Sequence, residues 1–358
     1  MSFKVLLLTG YLCKKDLYRR FRKDLDIDIY EWWREKDASL DTIHEHVKNY
    51  KYIISHSAGS TLLFLTLLSR RPTRIKKVFS FDGHILMKKS ARLPKPSLAI
   101  RATMKRVPKT SALYKRLEGI LSQNLDKYSN WLYLLVKARI ILQNAKHKIQ
   151  SVNWLEIQST KVSPSESYAR YSQKSSRSNN TDTFSKELSK LISKSTVLLL
   201  ANSHHYVIST NARHFVGMIY SYFYNRPLHD TIPASTRYVK NKETGLDKRI
   251  KSGGAVFYKF PQKDPRPGVS RAKFFVPYRT VSWSHPWEIR CKILKGVGLE
   301  LNSRSGLLRC VKPGDNFKIA AEKCHVFIAG DKVLELDVKA YIHGMKKNYE
   351  LCPINFMK

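Results

Sequence analysis

A strand-like apolar run that ends in a tight turn at Ser57, directly before a leucine-rich segment, is the feature of this chain that most limits its fold. The run reads Tyr52-Ile-Ile-Ser-His-Ser-Ala-Gly-Ser60, and residues 61–68 continue it. Such a turn folds a helix back against its strand, so Ser55, Ala58 and Gly59 must be small. It also exposes the serine hydroxyl at the end of the strand. This layout is that of a nucleophile elbow, and it predicts Ser57 as a nucleophile.

Strands and helices alternate through the first 225 residues. Apolar runs predict strands at residues 5–9, 28–32, 52–55, 78–81, 153–157 and 196–200. Helical spacing of apolar residues predicts helices between several of them and a last helix at 210–223. Apolar strands that alternate with helices predict a mostly parallel sheet covered on both faces.

In this order of elements, residues 1 to about 225 resemble the α/β-hydrolase family of serine esterases and lipases. The run Leu-Leu-Leu-Thr9-Gly10-Tyr11 is similar to the family's first strand and its oxyanion loop, although Thr9 replaces the usual histidine. The resemblance implies that the backbone amides of Tyr11 and Ala58 form an oxyanion hole.

A second match is the run from Val197 to Tyr206, which resembles the family's last strand and its catalytic-histidine loop. An aromatic residue commonly follows the family's catalytic histidine, so the resemblance favours His205, with His204 as second choice. A histidine in this loop acts as general base and then as general acid for the serine.

The acid of a catalytic triad is less well defined. The family places a carboxylate after the penultimate strand, but Lys161, Val162 and Ser163 occupy those positions here. Asp82, which follows the strand at 78–81, is the best substitute, and Glu166 is the second candidate. Asp82 also has a structural interpretation, because an Asp-Gly pair often ends a strand in a turn.

An insertion at about 84–150 corresponds to the lid of this family. It carries apolar residues at helical spacing around Trp131–Leu142 with flanking lysines and arginines. An apolar helix over the serine suits an acyl chain, and the cations suit anionic headgroups. The alternative is a cap helix that packs on the core.

The composition of the chain changes after residue 227. Residues 228–254 are polar and read as a linker, and residues 255–358 contain short strand-like runs between Gly and Pro turns. The predicted fold class is therefore α/β: an α/β-hydrolase-like, mostly parallel sheet with a helical lid in domain 1–227, followed by a basic all-β sandwich or barrel. Basic and aromatic residues are interleaved in this last domain, which fits either nucleic-acid or protein docking or an ordinary core with surface lysines.

Charge is the extreme property of the composition. The 358 residues include 65 Lys and Arg against 28 Asp and Glu, a formal charge of +37. This excess predicts an anionic partner (lipid, nucleic acid or acidic protein) through residues 88–150 and 255–358. A solvated surface is the alternative.

The sequence contains no clear signal for a metal site, another cofactor or export. The five cysteines form no Cys-x-x-Cys pair, and Cys324-His325 lacks a second pair at ligand spacing, so neither a metal nor another cofactor is predicted. No run is long enough to span a membrane and no signal peptide is recognised, so we expect a cytoplasmic or virion-associated protein that is not secreted.

Two functions follow from these observations. The first is a serine hydrolase of the esterase or lipase type that cleaves an acyl ester or lipid through Ser57, His205 and Asp82. The second is a catalytically weakened scaffold in a polyanion-associated assembly such as a viral capsid. The elbow favours the first, and the missing family acid and the charge favour the second.

Overall fold

The computed structural model describes residues 4–83, 148–159, 188–224 and 248–341, with short gaps inside these ranges, and isolated residues between 101 and 118. The chain divides into two compact units, Met1–Ala212 and Arg213–Lys358.

Parallel pairing organises the strands of the first unit. These strands are β1 (Val5–Leu8), β2 (Ile27–Tyr30), β3 (Tyr52–His56), β4 (Lys77–Phe81), β5 (Ile149–Ser159) and β6 (Ile192–Leu200). Within the unit their order is β6-β5-β4-β3-β1-β2, and every neighbouring pair is parallel. All residues of β1, β3 and β4 are buried, as expected for parallel strands covered on both faces. The carboxyl ends of these strands therefore meet at one edge.

Helices of the first unit follow clear local signals. Helix α1 (Leu40–Val47) begins after Ser39, whose hydroxyl accepts a hydrogen bond from the Thr42 amide at 3.1 Å. Helix α2 (Ala58–Arg70) is buried from Ala58 to Leu67 and ends at Arg71, which has φ 45°. The unit also contains two 3₁₀ segments (Lys15–Lys23 and Trp32–Arg34), a helical turn at 188–191 and the short helix α3 (Val207–Thr210).

The second unit contains antiparallel sheets and helix α4 (Ala212–Phe223), which begins at the last residue of the first unit. Its strands are β7 (Lys248–Ser252), β8 (Ala255–Lys259), β9 (Val269–Val276), β10 (Thr280–Ser284), β11 (Glu288–Lys295), β12 (Gly298–Asn302), β13 (Leu307–Val311), β14 (Asn316–Ile319), β15 (Cys324–Ala329) and β16 (Leu334–Tyr341). One group has the order β10-β15-β12-β13, and a six-stranded sheet has the order β14-β11-β16-β9-β8-β7.

Strand β11 shows how the six-stranded sheet is built. Its buried residues Ile289, Cys291 and Ile293 alternate with the exposed residues Arg290 and Lys292. The buried face packs into a core formed by residues of β9, β11, β13, β14, β15 and β16. Alternation of this kind is typical of antiparallel sheets with one solvated face.

The fold class predicted from the sequence, an α/β-hydrolase-like and mostly parallel sheet with a helical lid, is wrong for this chain. Over the described residues antiparallel pairs outnumber parallel pairs, because β7 to β16 pair with one another in the antiparallel sense. The chain is therefore rich in β-structure, with few helices in its described part. The segment 84–150 predicted as a lid lies outside the described residues, apart from a few isolated positions.

The domain limits 1–227, 228–254 and 255–358 stay a prediction. Strand β7 lies inside the segment predicted to be a linker.

Candidate nucleophilic site

Ser57 occupies a strained turn between β3 and α2. Its backbone has φ 55° and ψ −124°, a conformation that residues other than glycine rarely adopt, and its amide donates to the Phe81 carbonyl at 2.8 Å. A Cβ placed on Gly59 would lie only 2.5 Å from the carbonyl oxygen of Thr9, so helix α2 can approach the end of β1 only because Gly59 has no side chain. The turn between β3 and α2 therefore requires glycine at position 59.

His205 lies in the turn between β6 and α3, and its ring reaches the serine. Its Nε2 is 2.9 Å from the Ser57 hydroxyl oxygen, and both residues are buried, with 7% of each exposed. This separation is that of a hydrogen bond, so the imidazole can take the hydroxyl proton.

Asp82 follows β4 and completes a row of three side chains. Its Oδ2 lies 3.5 Å from Nδ1 of His205, longer than an ordinary N–H···O hydrogen bond. The carboxylate is anchored by Ser159 at the end of β5: the Ser159 amide donates to Oδ1 at 2.6 Å and its hydroxyl donates to Oδ2. Asp82 also has a positive φ of 46°. Two donors from β5 therefore hold the acid beside the histidine.

Residues predicted for the oxyanion hole flank the serine. Ala58 is the first residue of α2, and the ring of Tyr11 stacks on Trp32 with centroids 5.8 Å apart. A Cβ on Gly10, which precedes Tyr11, would lie 3.3 Å from Cβ of Ser57, so this loop passes directly beside the nucleophile. The second-choice residues His204 and Glu166 lie outside the described residues.

His56, which sequence reasoning missed, connects the loops around the serine. Its Nε2 donates to the carbonyl oxygen of His205 at 2.8 Å. The Nδ1 of the neutral ring then accepts from the Tyr18 hydroxyl at 2.7 Å, and that hydroxyl oxygen accepts from the Gly10 amide at 3.1 Å. A histidine inside an otherwise apolar buried strand was the available signal, since a buried polar group needs partners.

Glu156 of β5 forms a second buried polar group that was not predicted. Its carboxylate accepts hydrogen bonds from the Gly83 amide at 2.8 Å, from Nε1 of Trp154 at 2.9 Å and from the Gln158 side chain. Burial raises the pKa of Glu156 to about 7, and the hydrogen bonds from Trp154 and the Gly83 amide oppose that increase. The carboxyl therefore changes charge near neutral pH.

A chain of hydroxyls leads from this carboxyl toward the elbow. The Ser80 hydroxyl donates to Ser60, and the Ser60 hydroxyl donates to Ser55, each at 2.9 Å. A Cβ on Gly83 would lie 2.9 Å from Cβ of Ser60 and 3.2 Å from the Glu156 carboxylate. Close packing therefore joins the residues beneath Ser57 to those around Glu156.

Cysteine and metal chemistry are not apparent near the serine. Burial raises the pKa of Cys13 to about 12, so its thiol stays protonated at neutral pH. In the part of the chain that the structure describes, no group of three or more His, Cys, Asp and Glu side chains could hold a metal ion.

None of the helices described is long and apolar enough to cross a bilayer.

No known family model matches this chain, and no curated protein matches it. Several solved structures of β-barrel proteins resemble parts of it. Ectoine synthase from P. lautus is 14% identical, with 30% of this chain and 78% of that chain covered and a TM-score of 0.25. The polyketide cyclase RemF from Streptomyces resistomycificus is 17% identical, with 33% and 86% covered and a TM-score of 0.23. A cupin 2 conserved barrel domain protein from Rhodopseudomonas palustris is 17% identical, with 30% and 71% covered and a TM-score of 0.23.

These structures are cupin-like barrels and not α/β-hydrolases, so they contradict the predicted membership in the α/β-hydrolase family. The esterase or lipase activity inferred from that family is corrected with it, and the alternative of a viral capsid component has no support. The physical reason is that a small-x-Ser-x-Gly turn specifies a local strand-to-helix geometry, not a whole fold. At such low TM-scores the likenesses themselves carry no argument about activity.

Proposed function

We propose that this chain carries a nucleophilic serine centre, in which Ser57 is the nucleophile, His205 moves its proton and Asp82 stabilises the charged imidazole. The observation that supports it most is the 2.9 Å separation between Nε2 of His205 and the hydroxyl oxygen of Ser57 at a strained turn. The proposal depends on side-chain geometry and on no family membership.

In the proposed step, the Ser57 oxygen forms a bond to the electrophilic atom while its proton passes to Nε2 of His205. When the tetrahedral intermediate collapses, the imidazolium returns that proton to the leaving group, and the serine keeps the covalent group until an acceptor removes it. Asp82, 3.5 Å from Nδ1, offsets the positive charge of the imidazolium.

Negative charge that develops on the attacked oxygen needs donors. We assign this role to the backbone amides of Tyr11 and Ala58. The second lies at the N-terminus of the 13-residue helix α2, where the helix dipole favours negative charge.

The compartment is also part of the proposal. Cys13 and Cys291 are free, buried thiols, which supports a reducing environment such as the cytoplasm.

Labelling with a fluorophosphonate probe tests this proposal. We expect the full chain to be labelled at Ser57 and the Ser57→Ala variant to be unlabelled. Ser69→Ala is the matched control, because Ser69 lies on the same helix and donates to the Leu65 carbonyl, away from the site. Peptide mapping locates the adduct, and circular dichroism verifies folding. Labelling that persists in Ser57→Ala, or a folded natural chain that never reacts, would overturn the proposal.

A further inference from the structure

One row of cations crosses four strands of the six-stranded sheet in the second unit. Strand register places Lys318 of β14 opposite Arg290 of β11, Arg290 opposite Lys339 of β16, and Lys339 opposite Arg271 of β9. Neighbouring strands are about 4.8 Å apart, so the row is about 14 Å long. Like charges directly opposite each other on adjacent strands destabilise a sheet, so folding does not explain this arrangement.

The row belongs to a larger basic sheet face. This face carries seven cations and three anions, a net charge of +4: Arg271, Lys273, Arg290, Lys292, Lys295, Lys318 and Lys339 with Glu288, Glu335 and Asp337. The opposite face of the same strands packs into the apolar core. The basic sheet face is therefore the polar side of a well-packed sheet.

Acidic residues neutralise only part of this face. Glu288 pairs with Lys318 at 2.6 Å, and Asp337 pairs with Arg271 at 2.7 Å. Within the described residues, Lys292 and Lys339 form no ion pair. The Arg290 side chain is 61% exposed and its nearest carboxylate oxygen, on Glu288, is 3.8 Å away. The centre of the row therefore keeps an uncompensated positive charge.

A cleft of about 620 Å³ opens over that centre. Its lining includes Arg290, Lys292, Lys318, Lys339, Asn316 and Tyr341. The Arg290 guanidinium lies 5.0 Å from the centroid of the Tyr341 ring, so a planar cation and an aromatic ring share one end of the cleft. Cations in a line beside a stacking surface are the features that bind single-stranded nucleic acid.

We propose that the basic sheet face binds single-stranded nucleic acid, with consecutive phosphates along the cation row and a base against Tyr341. An anionic bilayer is a poorer fit, because the large apolar residues exposed in the described chain, Leu307 and Val333, lie outside this face and offer it no apolar anchor. A stable protein partner also requires a mostly apolar centre, whereas the centre of this face is a row of four cations. The inference does not depend on the chemistry of Ser57.

Fluorescence anisotropy with a labelled 12-nucleotide single strand tests the inference on the full chain. The variant Arg290→Gln/Lys339→Gln removes two charges from the row. The matched control Arg74→Gln/Lys36→Gln removes the same two residue types from exposed positions of the first unit. We expect the row variant to bind at least tenfold more weakly at low salt. The slope of log affinity against log salt should become less steep by about 1.4. The control should change affinity less than twofold.

A second variant separates stacking from charge. Tyr341→Leu should weaken binding about threefold to tenfold without changing the salt slope, because it removes no charge. Equal losses in the row variant and the control, or no binding of the oligonucleotide by the natural chain, would overturn the inference. So would binding to phosphatidylserine vesicles that needs Arg290 and Lys339 while oligonucleotide binding does not. Ser57→Ala should bind the oligonucleotide as the natural chain does.

Discussion

His56 holds the backbone of His205: its Nε2 donates to the His205 carbonyl oxygen at 2.8 Å, across 149 positions of the chain. The same imidazole reaches the loop beside the nucleophile through Tyr18 and the Gly10 amide. The residue that precedes the serine therefore fixes where the proposed base stands.

We expect His56→Ala to lower the rate of fluorophosphonate labelling about tenfold to 100-fold, because His205 loses the bond that positions it. His56→Gln keeps a side-chain N–H that can donate to the His205 carbonyl, so it should recover most of the rate. Labelling rates measured from pH 5 to 9 distinguish a change in the position of His205 from a loss of the folded state. If both variants lose the rate equally while remaining folded, His56 has no positioning role.

Asp82→Asn should slow labelling by on the order of 1,000-fold, because a neutral amide cannot stabilise the imidazolium of His205. Ser159→Ala removes a hydroxyl that donates to the Asp82 oxygen nearest His205. In that variant the Ser159 amide still holds Oδ1 and Oδ2 is free to accept from Nδ1 of His205, so labelling should be at least as fast as in the natural chain, at a cost of about 1 kcal/mol in unfolding free energy. Time courses of labelling and urea titrations measure the two effects. An unchanged rate in Asp82→Asn would show that Asp82 is structural only.

Glu156 should make the stability of the fold depend on pH. Burial raises its pKa from 4.5 to about 7, so between these values the folded state binds more protons than the unfolded state. Its contribution to stability is fully present below pH 4.5 and is lost as pH rises through about 7, a change of about 3 kcal/mol. Urea unfolding at pH 5, 6, 7 and 8 measures it. Glu156→Gln should flatten this part of the profile, and an identical slope in the variant would contradict the assignment.

Gly59→Ala should destabilise the protein strongly, by about 3 kcal/mol or more, because the new Cβ would meet the Thr9 carbonyl at 2.5 Å. Gly314→Ala is an informative comparison. A new Cβ on Gly314 would have no heavy atom within 4 Å, so this substitution causes no steric clash. It disturbs only the backbone, which has φ 91° at this position. Thermal unfolding measures both. Equal losses would show that close packing at the elbow does not matter.

Folding should protect two cysteines from alkylation. Burial raises the pKa of Cys13 to about 12 and also raises the pKa of Cys291. At pH 8, iodoacetamide should modify Cys13 and Cys291 at least 100-fold more slowly in the native protein than in the denatured protein. Peptide mapping after timed quenching measures this ratio, and equal rates in the two states would contradict the prediction.

The sequence predicts the parts of the candidate site that depend on local rules. The elbow at Ser57 follows from small residues between an apolar strand and an apolar helix. Asp82 follows β4 directly and His205 lies in the loop after β6, and the carboxyl ends of parallel strands meet at one edge of a sheet. Their distances, including the 3.5 Å gap between Asp82 and His205, depend on Ser159, a partner 77 positions from Asp82.

Other features could not be predicted because they depend on distant partners. His56 bonds to residues 38 and 149 positions away, and no local pattern selects such partners. The cation row exists only in one register of β14, β11, β16 and β9, since a shift by one residue would turn each side chain to the other face. The family assignment failed for a related reason, since it inferred a family from local motifs and the order of elements in residues 1 to about 225.

The 148 positions between Ser57 and His205 have a consequence for synthesis on the ribosome. Until the second of these residues has emerged and β6 has joined its neighbours, the hydroxyl has no base and reacts no faster than any other serine in the nascent chain. In the proposed centre, activation of the serine is thus a late event that follows the pairing of β6, and we expect fragments that end before His205 not to be labelled.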